Sequence, residues 1–293
     1  ASTRPLSPPG ARGTAQGQAT RSLNVLPAFD RIPPSPQDGR VTSYLVFDIE
    51  TVVDPDLPIA EGTDAQKIPA PPHHQIVALG ALLLAGSDYE PKRLGIIGRD
   101  STDERAILLE FTELVEKHAP TLVTFNGRGF DLPVITSRCL HHGLPFRAYY
   151  KRRNMRYRFT DEDHFDLMDY LADFGATRPA RLDVMAKLIG MPGKVGVDGK
   201  DVGPLVHKGR IDEVRDYCLC DVVQTAVLFL RVELLRGTID RARYVAAARA
   251  LLRHLSGHPR VHAALWEHID FERVLLGESL EEIPEIPSTV VAH

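Results

Sequence analysis

Four carboxylates stand in three short segments of this 293-residue chain. Asp48 and Glu50 lie in Tyr44-Leu-Val-Phe-Asp-Ile-Glu-Thr51, Asp131 in Asn126-Gly-Arg-Gly-Phe-Asp-Leu-Pro133, and Asp221 in Tyr217-Cys-Leu-Cys-Asp221. Acids that converge in a fold repel one another, and a bound divalent cation is the usual relief. The pattern therefore points to a metal-dependent enzyme.

The elements that must position these groups are legible in the hydrophobic pattern. Ser43 to Thr51 is a β-branched and aromatic run with a polar end, which predicts a buried strand. Strand side chains alternate, so Asp48 and Glu50 project from one face near the strand's C-terminal end, where α/β sheets often place active sites. Thr121 to Phe125 predicts a second short strand, followed by a turn at Asn126-Gly-Arg-Gly and a helix with Pro133 in its first turn. Asp131 at that helix start is also a good cap, a role compatible with metal binding. Ile211 to Leu235 has the spacing of a long helix, on which Tyr217 and Asp221 stack one turn apart. Taken singly, the motifs are weak: Asp48 and Glu50 read more readily as a polar strand end, and Tyr217 with Asp221 as a packed tyrosine beside a solvated acid, while Asp131 also serves as a helix cap.

Taken in order, the three motifs resemble those of the DEDD superfamily of 3′–5′ exonucleases. Tyrosine four residues before the last acid, with Asp216 where the other branch carries histidine, is similar to the tyrosine subclass. The chain most resembles the predicted 3′–5′ exonucleases related to the proofreading domain of B-family DNA polymerases. The likeness extends to His164-Phe-Asp-Leu-Met-Asp169, to 182–190, to Pro192-Gly-Lys194 and to Asp198-Gly199, and covers about 40–236. It implies a ribonuclease H-like α/β fold, a mixed sheet flanked by helices, and two divalent cations, Mg²⁺ or Mn²⁺, of the kind that oxygen-rich ligands favour. Such ions sit roughly 4 Å apart and clamp the scissile phosphate. Asp48 is then expected to bridge both, Glu50 and Asp221 to complete the first site and Asp131 to serve the second. Tyr217 is expected to orient the attacking water, and the product to be a 5′-mononucleotide.

The remaining sequence sets bounds. Apolar content of 43% and a net charge of −4 are ordinary for a globular protein. Three cysteines argue against a disulfide framework and for a reducing compartment, and Cys218 and Cys220 read as small core residues. Residues 1–40 are rich in Pro, Gly, Ser and Ala, carry five arginines against two aspartates, and read as a disordered tail. They lack the apolar core of a secretory signal, and frequent proline weakens a transit-peptide reading. No segment is long and apolar enough to span a membrane, so a cytoplasmic location is expected. Further strands are predicted at Gln75–Ala85 and Arg93–Arg99. Helices are predicted at Asp103–Lys117, capped by Ser101 or Thr102, then at 132–142, 164–174, 181–190, 240–255 and 259–275. The domain reading is a tail over 1–40, an exonuclease domain over 41–236 and a C-terminal helical extension over 237–293.

An acidic protein needs a local basic surface to hold nucleic acid. From Arg147 to Thr160 the chain carries Arg147, Lys151, Arg152, Arg153, Arg156 and Arg158 with no acid, interleaved with Tyr149, Tyr150, Tyr157 and Phe159. Cations neutralise phosphates and aromatics stack on unpaired bases, although the same rings could equally pack inward. Candidate substrate contacts are Asn126, Phe130, Arg152, Arg153, Arg158 and Lys194. The expected partner is single-stranded nucleic acid, DNA ahead of RNA, and repair or replication partners cannot be read from the sequence. Two rival readings stay open here: a catalytically silent nucleic-acid-binding module on the same fold, and an RNA-trimming 3′–5′ exoribonuclease.

Overall fold

The computed structural model describes residues 43–57, 59, 68–98, 103–196 and 199–280. Five strands form one mixed sheet: β1 (Ser43–Val53), β2 (His74–Ala85), β3 (Glu90–Ile96), β4 (Thr121–Thr124) and β5 (His164–Asp166), in the order β3-β2-β1-β4-β5. The three long strands form an antiparallel meander, and β4 and β5 add in parallel. A parallel neighbour needs a crossover, which α1 (Glu104–His118) supplies between β3 and β4.

Alternation along β1 sorts its residues onto two cores. Leu45, Phe47 and Ile49 face one side, where Phe47 meets Phe111 of α1 at 5.0 Å between ring centroids. That layer also holds α2 (Asp131–His141) and α3 (Arg147–Lys151). Tyr44 and Val46 face the other side, against Phe229 of α7 (Ile211–Leu235). The short helices α4 (Leu167–Leu171) and α5 (Leu182–Leu188) border the α7 side, and α6 (Val202–His207) lies alongside α7. Beyond α7, α8 (Arg241–His254), α9 (Pro259–Leu265) and α10 (Phe271–Val274) share its core, with Leu251, Leu252, Leu265 and Val274 buried beside Val227 and Leu230. Arg231 of α7 ties this layer down by donating to Tyr244 and to the carbonyls of Arg273 and Val274.

A buried ionic cluster fixes the end of α2. Arg138 pairs with Asp54, just past β1, and with Glu104 at the head of α1, whose carboxylate also takes His142 and the Ile76 amide. Removing one partner from such a cluster strands a buried charge at a cost of about 3–5 kcal/mol, so the cluster holds α2 in place.

Several sequence expectations need correction. The helix expected over 164–174 begins as strand β5, and α4 follows only after Asp166 caps it. His164 and Phe165 alternate across the sheet edge beside Leu122 and Val123, which settles their conformation. Asp103 caps α1 through the Arg105 amide, in place of Ser101 or Thr102, which lie outside the described residues. The third strand spans 90–96, not 93–99, and Arg99 lies outside the described residues. The helix expected over 259–275 is broken into α9, a 3₁₀ turn at Trp266–His268 and α10, because Asp270 starts a new cap. The tail reading of 1–40 lies outside the described residues.

Candidate active site

Strand pairing leaves an opening where the acids meet. β4 pairs with β1 only over Tyr44–Val46 and then turns away. Past that point, among the described residues, β1 has no neighbouring strand on its β4 side, and Asp131 accepts from the Ile49 backbone there. Asp48 and Glu50 share the α7 face of β1, as alternation requires. On α7, Tyr217, Cys218 and Asp221 point down at them, which the spacing of three and four along a helix allows.

The electrostatics confirm the convergence of these carboxylates. Burial first, then the charges of Asp131, Glu50 and Asp221, hold the Asp48 carboxyl well above the usual carboxylate range. Burial, Asp221 and Asp131 do the same for Glu50. Burial pushes Asp131 up to about 7 against the pull of its backbone hydrogen bonds. Burial raises Asp221 to about 6, opposed by the Tyr217 hydroxyl and the Lys194 charge. Asp131 is 3% exposed, yet its Oδ1 has no hydrogen-bond partner among the described residues. A buried carboxylate oxygen aimed into a cluster of like charges suits a cation, and the oxygen-rich donor set suits a hard divalent one.

Cys218 is the small buried core residue that the sequence suggests, and it also borders this wall. It is buried, and its thiol lies 3.4 Å from the Asp48 carbonyl and 3.8 Å from Asp48 Oδ2. One ligand atom each from Asp48, Glu50 and Cys218 fall within 4.8 Å of one another. The signal was its place three residues before Asp221, on the same helical face. Burial holds the thiol protonated. It fits because Gly80 lies opposite Asp48 in the sheet; a Cβ there would come within 2.9 Å of the sulfur.

A second unforeseen residue shapes the turn before Asp131. Asp166, at the end of β5, accepts from the amides of Asn126 and Arg128 at 3.0 and 2.8 Å, and from Met168 and Asp169 at the head of α4. It therefore fastens the Asn126–Gly129 turn to the sheet. Gly127 of that turn is sterically required, since a Cβ there would overlap the Thr124 side chain as far as its own Cβ, and a Cβ on Gly129 would displace the Asn126 side-chain oxygen. Asn126 itself sits at φ +72, which asparagine tolerates better than most residues.

The candidate substrate contacts are dispersed. Phe130 is half-buried, edge-on to His74 at 4.9 Å, beside the acids. Lys194 is exposed and close enough to Asp221 to lower its proton affinity. Arg152 is held internally by Asp163 and the Pro120 carbonyl, and Arg158 is half-exposed and bidentate with Asp169. Arg153 is exposed on the turn after α3. Arg156 lies over Tyr150 at 5.2 Å, and Tyr150, Tyr157 and Phe159 are all more than half exposed.

A mixed five-stranded sheet in this order, flanked by helices, is a ribonuclease H-like exonuclease fold. A family model described as a predicted 3′-5′ exonuclease related to the exonuclease domain of PolB matches residues 68–269, and the chain belongs to that family. The match includes Asp131, Tyr217 and Asp221, while Asp48 and Glu50 precede it and are joined to the others by geometry. No curated protein matches the chain. Among the described residues no helix is long and apolar enough to cross a membrane.

Proposed function

We propose that this exonuclease is of the tyrosine type, depends on divalent cations, and degrades single-stranded DNA from its 3′ end to 5′-mononucleotides. The observation that carries the reading is the charge that Asp131, Glu50 and Asp221, from three chain segments, exert on the buried Asp48, with Asp131 Oδ1 lacking a hydrogen-bond partner among the described residues. Asp48 and Glu50 from β1, Asp221 from α7 and Asp131 from α2 would hold two ions, with Mg²⁺ or Mn²⁺ suited to their oxygen ligands. Bound there, the ions would offset the carboxylate charge and polarise the scissile phosphate.

Tyr217 acts by position. Its hydroxyl hydrogen-bonds Asp221, and burial followed by the charges of Asp221, Glu50 and Asp48 raises its pKa. The phenol therefore keeps its proton at neutral pH and directs a water by hydrogen bonding, without acting as a free base. The Tyr217→Phe variant keeps the ring and loses only this contact. Its single-turnover cleavage should fall ~10²–10⁴-fold with cation binding intact; unchanged cleavage would assign the water to another group.

The deciding experiment compares 5′-labelled single-stranded DNA and RNA of one sequence, with Mg²⁺ and with Mn²⁺. The expected result is a ladder shortening from the 3′ end, faster on DNA. A closed circular strand should resist. Cutting of the circle would overturn the exonuclease reading, a faster RNA ladder would make the enzyme an exoribonuclease, and binding without any shortening would make it a silent module.

A further inference from the structure

A cavity of about 240 Å³ opens at the β5 edge of the sheet, behind the turn that leads to Asp131. Its walls are aromatic: Phe159, Phe165, Tyr170 and Phe174. Two of these rings are already engaged, with the Arg236 guanidinium 5.0 Å from Phe165 and 5.4 Å from Tyr170. The other two, Phe159 and Phe174, meet edge-on at 5.2 Å, and Phe159 is 62% exposed. Phe174 is held there at a conformational cost. It and Asp173 both lie in left-handed backbone space, at φ 53 and 51, which bulky L residues rarely adopt. Strain of this kind collects where a side chain is kept in place for a ligand.

The polar groups of the cavity are balanced in charge. Arg158 is paired with Asp169, and Arg236 with Asp161. Such a rim suits neither a phosphate nor a free cation. It suits a flat, uncharged aromatic ligand whose edge carries both donors and acceptors, because guanidinium and carboxylate groups address such edges in the ring plane. We propose that this cavity binds one unpaired nucleobase, stacked on Phe159, which Phe174 buttresses edge-on, with the base edge turned to the Arg158–Asp169 and Arg236–Asp161 pairs. The base must be unpaired for that edge to be available.

The cavity is also joined to the catalytic side. Asp166 and Arg128 line it, and the Asp166 carboxylate accepts the Asn126 and Arg128 amides of the turn before Asp131. A single strand crossing that turn delivers a base to the cavity, while a released mononucleotide offers the same chemistry from solution. The choice of a nucleobase rests on the nuclease reading above.

The test uses the full chain carrying Asp48→Ala, so that the strand survives. Short single-stranded oligonucleotides carry 5-iodouracil at successive distances from the 3′ end, and irradiation links it to a stacked aromatic ring. One register should cross-link to Phe159 or Phe174. Phe159→Ala should abolish the cross-link to that ring and weaken binding about tenfold, the loss of one base–aromatic stack. Phe174→Gly removes the ring that backs Phe159 while relieving its backbone strain, so a comparable loss there with an unchanged melting temperature is the expected result. In a parallel arm, 5-iodo-dUMP linking to the same rings at micromolar concentration, with no strand register doing so, would make the mononucleotide the occupant. Cross-links confined to Phe130, Tyr150 or Tyr157, or unchanged affinity in both variants, would overturn the site. If wild-type protein still shortens a 5′-labelled strand, only the base site has failed; if it does not, the nuclease reading has failed with it.

Discussion

Asp48→Ala should lower nuclease turnover by at least about 10³-fold while raising the melting temperature of the protein in EDTA. The first effect follows from the several kcal/mol of transition-state charge stabilisation that a metal site supplies, at about 1.4 kcal/mol per factor of ten. Asp48 stands at the centre of the cluster, since Asp131, Glu50 and Asp221 all act on it. The second effect follows from the same coupling: one carboxylate fewer relieves the repulsion that folding imposes on the other three. Purified variant with full activity on labelled single-stranded DNA would remove Asp48 from the mechanism. A lower melting temperature without cation would mean that its packing beside Cys218 outweighs its charge.

Stabilisation by a divalent cation should appear only as pH rises. In the unfolded chain these carboxyls titrate near 4, whereas burial lifts Asp131 to about 7 and Asp221 to about 6 and moves Asp48 and Glu50 in the same direction. Between those values the folded state holds more protons than the unfolded one, so stability without cation falls as pH rises from about 4 to about 7. A cation needs the deprotonated site and should stabilise only on the alkaline side. At 100 times its dissociation constant it contributes about 2.7 kcal/mol, worth roughly 5–10 °C for a domain of this size. Differential scanning fluorimetry with EDTA or Mn²⁺ at pH 5 and pH 8 measures this directly. Equal Mn²⁺ shifts at both pH values would show that the ion binds elsewhere.

What the sequence revealed, and what it hid, follows from the range of the forces involved. β1 and α7 were legible because each is long and its apolar residues recur at one period; Leu45, Phe47 and Ile49 on one face leave Asp48 and Glu50 on the other. The ordered motifs named all four acids and Tyr217, and the fold brings them together. β5 was hidden because three residues carry no period of their own, and pairing with β4 decides their state. Asp166 and Cys218 were hidden for a related reason. Each acts through a contact made far along the chain, with the Asn126 turn in one case and the Asp48 carbonyl in the other. The basic run from Arg147 to Arg158 was plain as composition, but Asp163 and Asp169, which hold Arg152 and Arg158, are brought to them only by folding.

Gly80 carries no functional group, yet it bears on the spacing of the acidic cleft. The gap between β2 and α7 admits the Cys218 sulfur only because no methyl stands opposite, and α7 carries Asp221 while the neighbouring strand carries Asp48. A methyl at that point would press on the Cys218 sulfur and on the Val222 and Leu219 side chains of α7, and relieving that contact by moving the helix takes a few tenths of an ångström. Ligand distances for Mg²⁺ and Ca²⁺ differ by about that much, roughly 2.0–2.1 against 2.3–2.6 Å. In the proposed metal site, the spacing of Asp48 and Asp221 would thus be set from behind the carboxylates, at a residue whose contribution is the room it leaves.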